Sequence, residues 1–363
     1  MLMKLLFDAR WIRTDFHDGV SRYTYEIAHA LAKQQAVTFI ISDEAQIALL
    51  PPNSNTVKIH AVDSIKEPFT SLALNKYSHD VVVSPMQTMG SFGRKFKLIL
   101  TLHDMTYYKH RLPPPQAKGI VRPMWRLFHM WYWPQRFVLD KADIIATVSE
   151  TSRAEIQAAK LTKRPLIVVS NAARDLSPLL MKEVIQTERP PKNLVFMGTP
   201  LPYKNPETLI KAMQYLPGRT LHICSKISEK RQGELTRLIP NGASVLFHGG
   251  MSDETYANLL ASDAIMVSMS LAEGFGLPLA EALKLGVPAV VSDRPFFREF
   301  AGSDGAVFVT PDNPAIVADG ISSLDSLDVR NRYIAAGKFA VNKFSWDASA
   351  KVLLDSCNGL VEA

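Results

Sequence analysis

Short apolar runs alternate with helix-period segments along most of this chain. Leu2 to Asp8 reads as a strand, and Gly19 to Gln34 as a helix carrying Tyr23, Ile27 and Leu31 at helical spacing. Further strands are predicted at Val37–Ile41, Val81–Ser84, Leu98–Leu102, Ile144–Val148 and Leu166–Ser170. The pattern resumes with strands at Leu194–Met197, Thr220–Cys224, Ser244–Phe247, Ala264–Met269 and Ala289–Ser292. Helices are expected at Pro206–Tyr215, Asp253–Ala261 and Pro278–Leu285, and Leu327–Ala363 is helical in pattern. Such alternation predicts α/β architecture, with parallel sheets covered by helices on both faces. Charges and a Pro-Pro pair between Leu176 and Asn193 mark the break. The expected division is therefore a domain over 1–176, a linker over 177–193, a second domain over 194–340 and a helical tail over 341–363.

A length of 363 residues suits two domains, and 47% hydrophobic with 21% charged residues is a globular composition. No apolar run reaches the ~20 residues of a membrane span, and no signal peptide precedes the first strand. The two cysteines, Cys224 and Cys357, have no metal-ligand spacing, so a cytoplasmic location is expected.

The net charge of +6 is unevenly spread. Between Ser91 and Arg136 stand nine Lys or Arg against one acid, Asp104, together with three of the five tryptophans, Trp125, Trp131 and Trp133. A basic aromatic patch implies an acidic partner. From Arg122 to Pro134 a helical wheel places Arg122, Arg126 and His129 on one face, and Met124, Leu127, Phe128 and Trp131 on the other. Such a segment suits either an anionic membrane surface or a helix whose apolar face packs on its own sheet. Trp133 falls on the basic face, where a core reading has no use for it. Arg111, Lys118 and Trp133 are also suited to guiding a lipid diphosphate. Nucleic acid is not expected as a partner, because its recognition motifs are absent and the aromatics cluster on one segment.

The most informative stretch is Glu273-Gly-Phe-Gly-Leu-Pro-Leu-Ala-Glu281. Two carboxylates bracket a glycine-rich turn, and Pro278 suits the first position of a helix. Glycines allow close backbone approach, and the helix N-terminus offers N–H groups to an anion such as a diphosphate. Glu273 follows an apolar strand, at the mouth where open parallel sheets bind ligands. Glu281 reads either as a partner for sugar or ribose hydroxyls or as an acid favourable to the helix dipole in a first turn.

These residues resemble the Glu-x7-Glu motif of glycosyltransferase family 4, retaining enzymes of the GT-B fold. The resemblance implies two doubly wound, Rossmann-like domains facing a cleft. It implies that Glu281 holds the nucleotide ribose and that Glu273 lies near the donor sugar. Phe196-Met-Gly-Thr-Pro-Leu-Pro-Tyr-Lys-Asn205 is similar to the family's diphosphate loop, with Lys204 as the neutralising cation. Thr199 and Tyr203 stand where family members carry an arginine, which is a departure. Asp18-Gly19-Val-Ser-Arg-Tyr23 resembles the loop that closes over the phosphates, and Arg22 reads as a solvated helix residue. Leu102-His103-Asp104 resembles a pair near the acceptor hydroxyl, and it is equally compatible with a structural role. Ser149 and Arg153 are weaker candidates. Phe344-Ser345-Trp346 resembles the point where the chain returns to the first domain.

The resemblance thus implies His103, Lys204 and Glu273 as catalytic residues. It implies Gly19, Thr199, Asn205, Gly274, Phe275, Gly276, Leu277 and Glu281 as donor-binding ones. The implied reaction is retaining transfer of a hexose, mannose favoured, from a nucleotide diphosphate sugar to a glycan or polyprenyl-diphosphate-linked acceptor in cell-surface polysaccharide synthesis. No metal and no cofactor are expected, since no Asp-x-Asp is present and no dinucleotide fingerprint follows the first strand. Base-reading residues are expected at Cys224–Lys226 and His248–Met251. A location on the inner face of the cytoplasmic membrane goes with the 109–136 window. A non-catalytic nucleotide-sugar-binding subunit and a sugar-nucleotide epimerase are the alternatives.

Overall fold

The computed structural model describes residues 3–15, 17–113, 119, 121–184 and 186–362, and the chain divides into two compact units. The first comprises Met1–Asn171 and Ser345–Ala363, the second Ala172–Phe344. Each is built on one all-parallel sheet.

The first sheet contains β1 (Leu5–Asp8), β2 (Val37–Ile41), β3 (Asn55–Lys58), β4 (Val81–Ser84), β5 (Lys97–Thr101), β6 (Ile144–Thr147) and β7 (Leu166–Val168). Its order is β3-β2-β1-β4-β5-β6-β7. Strands β1, β4 and β6 are buried along their whole length, as strands covered on both faces must be. The helix Gly19–Gln34 forms where its pattern predicts. The Asp18 side chain caps it by accepting from the Ser21 N–H at 2.9 Å, and Tyr23, Ile27 and Leu31 are buried.

The loop after β1 is held by a buried charge cluster. The Arg10 guanidinium grips Asp8 through Nε (2.8 Å) and Nη2 (2.9 Å), and Glu67 through Nη1 (2.8 Å) and Nη2 (3.0 Å). Thr70 donates to Glu67 at 3.0 Å. Gln46 Nε2 donates to the carbonyls of Arg10 and Ile12 at 3.0 and 2.8 Å. This loop leads directly to Asp18 and Gly19.

The last helix, Trp346–Glu362, belongs to the first unit and packs on Gly19–Gln34. Trp346 meets the Tyr23 ring edge-on at 6.1 Å, and Ser349 donates to Ser170 O at 2.6 Å. Phe344, the last residue of the second unit, lies against Phe275 of that same unit.

The second sheet contains β8 (Asn193–Phe196), β9 (Thr220–Ile223), β10 (Ser244–Phe247), β11 (Ala264–Ser268), β12 (Ala289–Ser292) and β13 (Val307–Val309). Its order is β10-β9-β8-β11-β12-β13. The sequence direction reverses between β8 and β11, which pair in register with Ile265 beside Leu194 and Met266 beside Val195. Open α/β sheets bind ligands beyond the carboxyl ends of the strands at such a reversal. The segment 172–192 belongs to this unit, and the buried Arg330 bonds the carbonyls of Thr187 and Arg189.

Candidate active site

The loops leaving β8 and β11 carry the two motifs and are bonded to each other, Leu271 N–H donating to Tyr203 O at 2.7 Å. Lys204 Nζ donates to Glu273 Oε1 at 2.5 Å. Ser270 Oγ donates to the same oxygen at 2.7 Å, and Ser270 O in turn accepts from Ser292 Oγ at 2.6 Å. Glu273 is thus oriented by a lysine from one loop and a serine from its own. Ser270 and Ser292 are positioning groups with no signature in the sequence. The Lys204 stem runs past Gly198, whose φ of +137° is glycine territory, and Nζ lies 5.5 Å from the Tyr203 ring centre.

The turn after Glu273 needs its second glycine. Gly276 has φ +99°, and a Cβ there would lie 2.7 Å from Phe297. The helix it opens spans Leu277–Leu285, so Pro278 occupies the second helical position and not the expected first. That site also lacks an intrahelical acceptor, so the proline fits equally well. Glu281 is the fifth residue of this helix, is buried, and lies 3.5 Å from Arg174 Nε. A dipole effect confined to the first turn therefore does not account for it. Phe275 stacks on Phe300 at 4.6 Å, so its ring anchors the turn and only its backbone can face a ligand.

Thr199 is exposed beside Gly198. Asn205 adopts a left-handed φ of +51°, and its side chain is tied to Pro311 O (2.7 Å) and Thr208 Oγ1 (2.9 Å). It shapes the loop that presents Lys204. The two expected base-reading segments meet at the mouths of β9 and β10. Ser225 Oγ accepts from Gly198 N–H at 2.9 Å, and the Lys226 stem lies against Gly250. Burial pushes the Cys224 thiol up to about 12, which keeps it protonated and unreactive.

Gly19 and His103 both belong to the first unit. His103 lies against the Tyr23 ring at 4.9 Å and within the field of Asp18 and Asp104. Burial lowers its pKa, outweighing the opposing pull of the Pro85 carbonyl and the two carboxylates. The neutral ring donates from Nε2 to Pro85 O at 2.8 Å, which leaves Nδ1 as an acceptor. At Gly19 an added Cβ would meet nothing within 4 Å and the φ is ordinary, so no protein contact there demands glycine.

The basic aromatic window differs from the single helix expected. It forms two helices, Val121–Phe128 and Trp133–Leu139, the second opening with Pro134 in its first turn. Lys118 lies outside the described residues. His129 is not on a basic surface. It is buried, stacked on Trp125 at 3.9 Å, and its pKa is lowered by burial, so it is neutral. The apolar residues do not reach the core: Met124, Leu127, Trp131, Trp133 and Phe137 are each more than half exposed. Ser149 caps the helix Glu150–Ala158 through Ser152, and Arg153 pairs with Glu150 at 2.7 Å, which gives both a structural role.

Comparison with known proteins matches each unit separately. The model named Glycosyltransferase Family 4 covers residues 17–174, and that named Glycosyl transferases group 1 covers 181–339. The O-antigen chain mannosyltransferase B of Escherichia coli is 29% identical over 268 residues, 69% of this chain and 67% of that one. A phosphatidyl-myo-inositol mannosyltransferase of Mycobacterium tuberculosis is 30% identical over 41% of this chain, and the match spans 40% of its length. The solved sucrose-phosphate synthase of Thermosynechococcus elongatus shares the fold across 99% of both chains, with a TM-score of 0.73 at 17% identity. With a family model on each unit and the fold shared end to end, the chain belongs to the group 1 glycosyltransferases of family 4 and is a glycosyltransferase of the GT-B fold.

Proposed function

We propose that this enzyme transfers a hexose, mannose in the first instance, from a nucleotide diphosphate sugar to a hydroxyl of a glycan or lipid-linked acceptor, as in cell-surface polysaccharide synthesis. The observation that carries the reading is the Lys204–Glu273 pair at the β8/β11 reversal, beside the N-terminus of Leu277–Leu285. Negative charge develops on the diphosphate as the bond from C1 to the phosphate oxygen breaks. A lysine and a helix end aimed there stabilise it without a metal ion. Transfer is with retention: the acceptor oxygen bonds to C1 on the face the diphosphate leaves, and its proton passes to the departing phosphate oxygen. Neutral His103 is suited to accept a hydrogen bond from a sugar hydroxyl through Nδ1. The mannose preference follows the mannosyltransferases among the relatives.

A thermal-shift series with GDP, UDP, TDP and their sugar conjugates, with and without divalent metal, tests this. A ligand at ~100 times its Kd stabilises the fold by about 2.7 kcal/mol. A metal-independent shift with GDP and GDP-mannose is the expected result, and a panel without any shift overturns the donor site.

The reading extends to an anionic membrane surface, where a lipid-linked acceptor would be met. No helix among the described residues is long and apolar enough to cross a membrane. Trp133 and Leu127 are 67% and 61% exposed, and Arg111, Arg122 and Arg126 of the same window are exposed as well. Aromatic groups bury at the headgroup boundary while basic ones meet anionic lipid. Sedimentation with vesicles containing phosphatidylglycerol is expected at low salt, and Trp133→Ser with Leu127→Ser should lower the bound fraction several-fold. Equal binding to neutral vesicles, or none to either, overturns this part.

A further inference from the structure

Arg174 has no place in the motifs, yet it touches the residue expected to read the ribose. It lies in a strap, Ala172–Asp175, that is fixed to the helix Leu277–Leu285 where Lys284 Nζ donates to Ala173 O at 3.2 Å. Its guanidinium is mostly buried between two carboxylates. Nη1 bonds Asp253, at the start of the helix Asp253–Leu260, and Nε lies 3.5 Å from Glu281 Oε1. Tyr256, one turn beyond Asp253, is buried and feels the charges of both Glu281 and Arg174. Two segments distant in sequence therefore approach the Glu281 carboxylate.

A glutamate has three rotatable bonds, and a carboxylate that must accept from two neighbouring hydroxyls needs a fixed plane. An arginine held from its far side by Asp253 supplies a rigid positive partner near one oxygen and sets the orientation of the other. The cluster sums to one positive and two negative charges, so Arg174 relieves repulsion between Asp253 and Glu281 without neutralising the acceptor capacity of Glu281. We propose that Arg174 is a positioning residue that orients Glu281 toward the vicinal hydroxyls of the donor nucleotide's ribose. The inference rests on the donor-site reading above.

Binding of GDP, UDP and their 2′,3′-dideoxy forms is measured by calorimetry on the full chain, comparing wild type, Arg174→Ala, Glu281→Gln and the double variant. Arg174→Ala is expected to weaken the ribonucleotide about 10- to 150-fold, the range for one hydrogen bond to a charged group. The dideoxy form should change by less than about twofold, and the double variant should bind within about twofold of Glu281→Gln alone, because the two losses are coupled. Arg174→Gln, which keeps more of the side chain than alanine and removes the charge, is read instead if the alanine variant loses cooperative unfolding. Additive losses, or equal weakening of the dideoxy form, mean that Arg174 only supports the fold and overturn the proposal. Wild-type binding that ignores the ribose hydroxyls overturns it through Glu281 while leaving a nucleotide site intact. Wild type that binds no nucleotide overturns the donor-site reading itself.

Discussion

Lys204→Ala is expected to lower kcat by roughly 10²- to 10³-fold, the loss seen when one preorganised donor is removed from a developing anion. The residue sits in a short 3-10 turn, Pro202–Lys204, whose end is fixed by the left-handed Asn205, so its ammonium is delivered to one place. That place is Glu273 Oε1, 2.5 Å away. Removing the lysine deletes a cation and also leaves Glu273 as an uncompensated carboxylate beside an incoming diphosphate. Two effects follow and can be separated. The lost stabilisation of the leaving group appears in kcat, and the new repulsion appears in donor KM. Adding Glu273→Gln to Lys204→Ala should restore much of KM and little of kcat. Steady-state release of nucleoside diphosphate, measured over a range of donor concentrations, reads both quantities. A Lys204→Ala enzyme with kcat within about threefold of wild type would remove Lys204 from the transition state.

The architecture was legible because parallel strands buried on both faces are written as apolar runs. The runs at Val37–Ile41, Val81–Ser84 and Ala289–Ser292 are strands with the bounds predicted, and so is Ser244–Phe247, a half-exposed edge strand that keeps an apolar run. The edge strand Asn55–Lys58 was not legible, since it is half exposed and polar enough to read as loop. The window from Arg122 to Pro134 misled for a related reason. A helical wheel assumes one continuous axis, but the helix ends at Phe128 and a second starts at Trp133, and His129 is covered by the rings of Trp125, Tyr107 and Tyr108. Glu273, Lys204 and Gly276 were visible because each motif is contiguous. Ser270, Ser292 and Arg174 were not, because their significance lies in contacts that the fold creates. Arg174 is 107 residues from Glu281 in sequence, and no local pattern records that approach.

Arg10→Met is expected to destabilise the first unit by about 3–5 kcal/mol, the cost of leaving buried carboxylates without their cation. The Arg10 and Asp8 side chains are fully buried and that of Glu67 nearly so, and Arg10 forms two bonds with each carboxylate. Burial alone would lower the Arg10 pKa, but Asp8 and Glu67 more than offset it and the net shift is upward, so the guanidinium stays charged. Methionine fills most of the volume but bonds neither acid. Asp8 would retain Ser84 Oγ and the backbone N–H of residue 10, each at 3.3 Å, and Glu67 would retain Thr70 and His60 Nε2 at 3.3 Å, none of which replaces a guanidinium shared by two buried carboxylates. Because the chain has two units, a single unfolding midpoint is not a sound measure of this loss. Hydrogen exchange of amides in β1 and β4 reports the first unit directly, and their protection should fall while that of β8 and β11 is unchanged. The same Arg10 bonds fix the start of the loop after β1. Replacing Asp8 and Glu67 by Asn and Gln alongside Arg10→Met removes the orphaned charges and should recover part of the stability, but not the loop. If Arg10→Met alone costs under about 1 kcal/mol, the range of an exposed pair, the cluster is not what holds this loop.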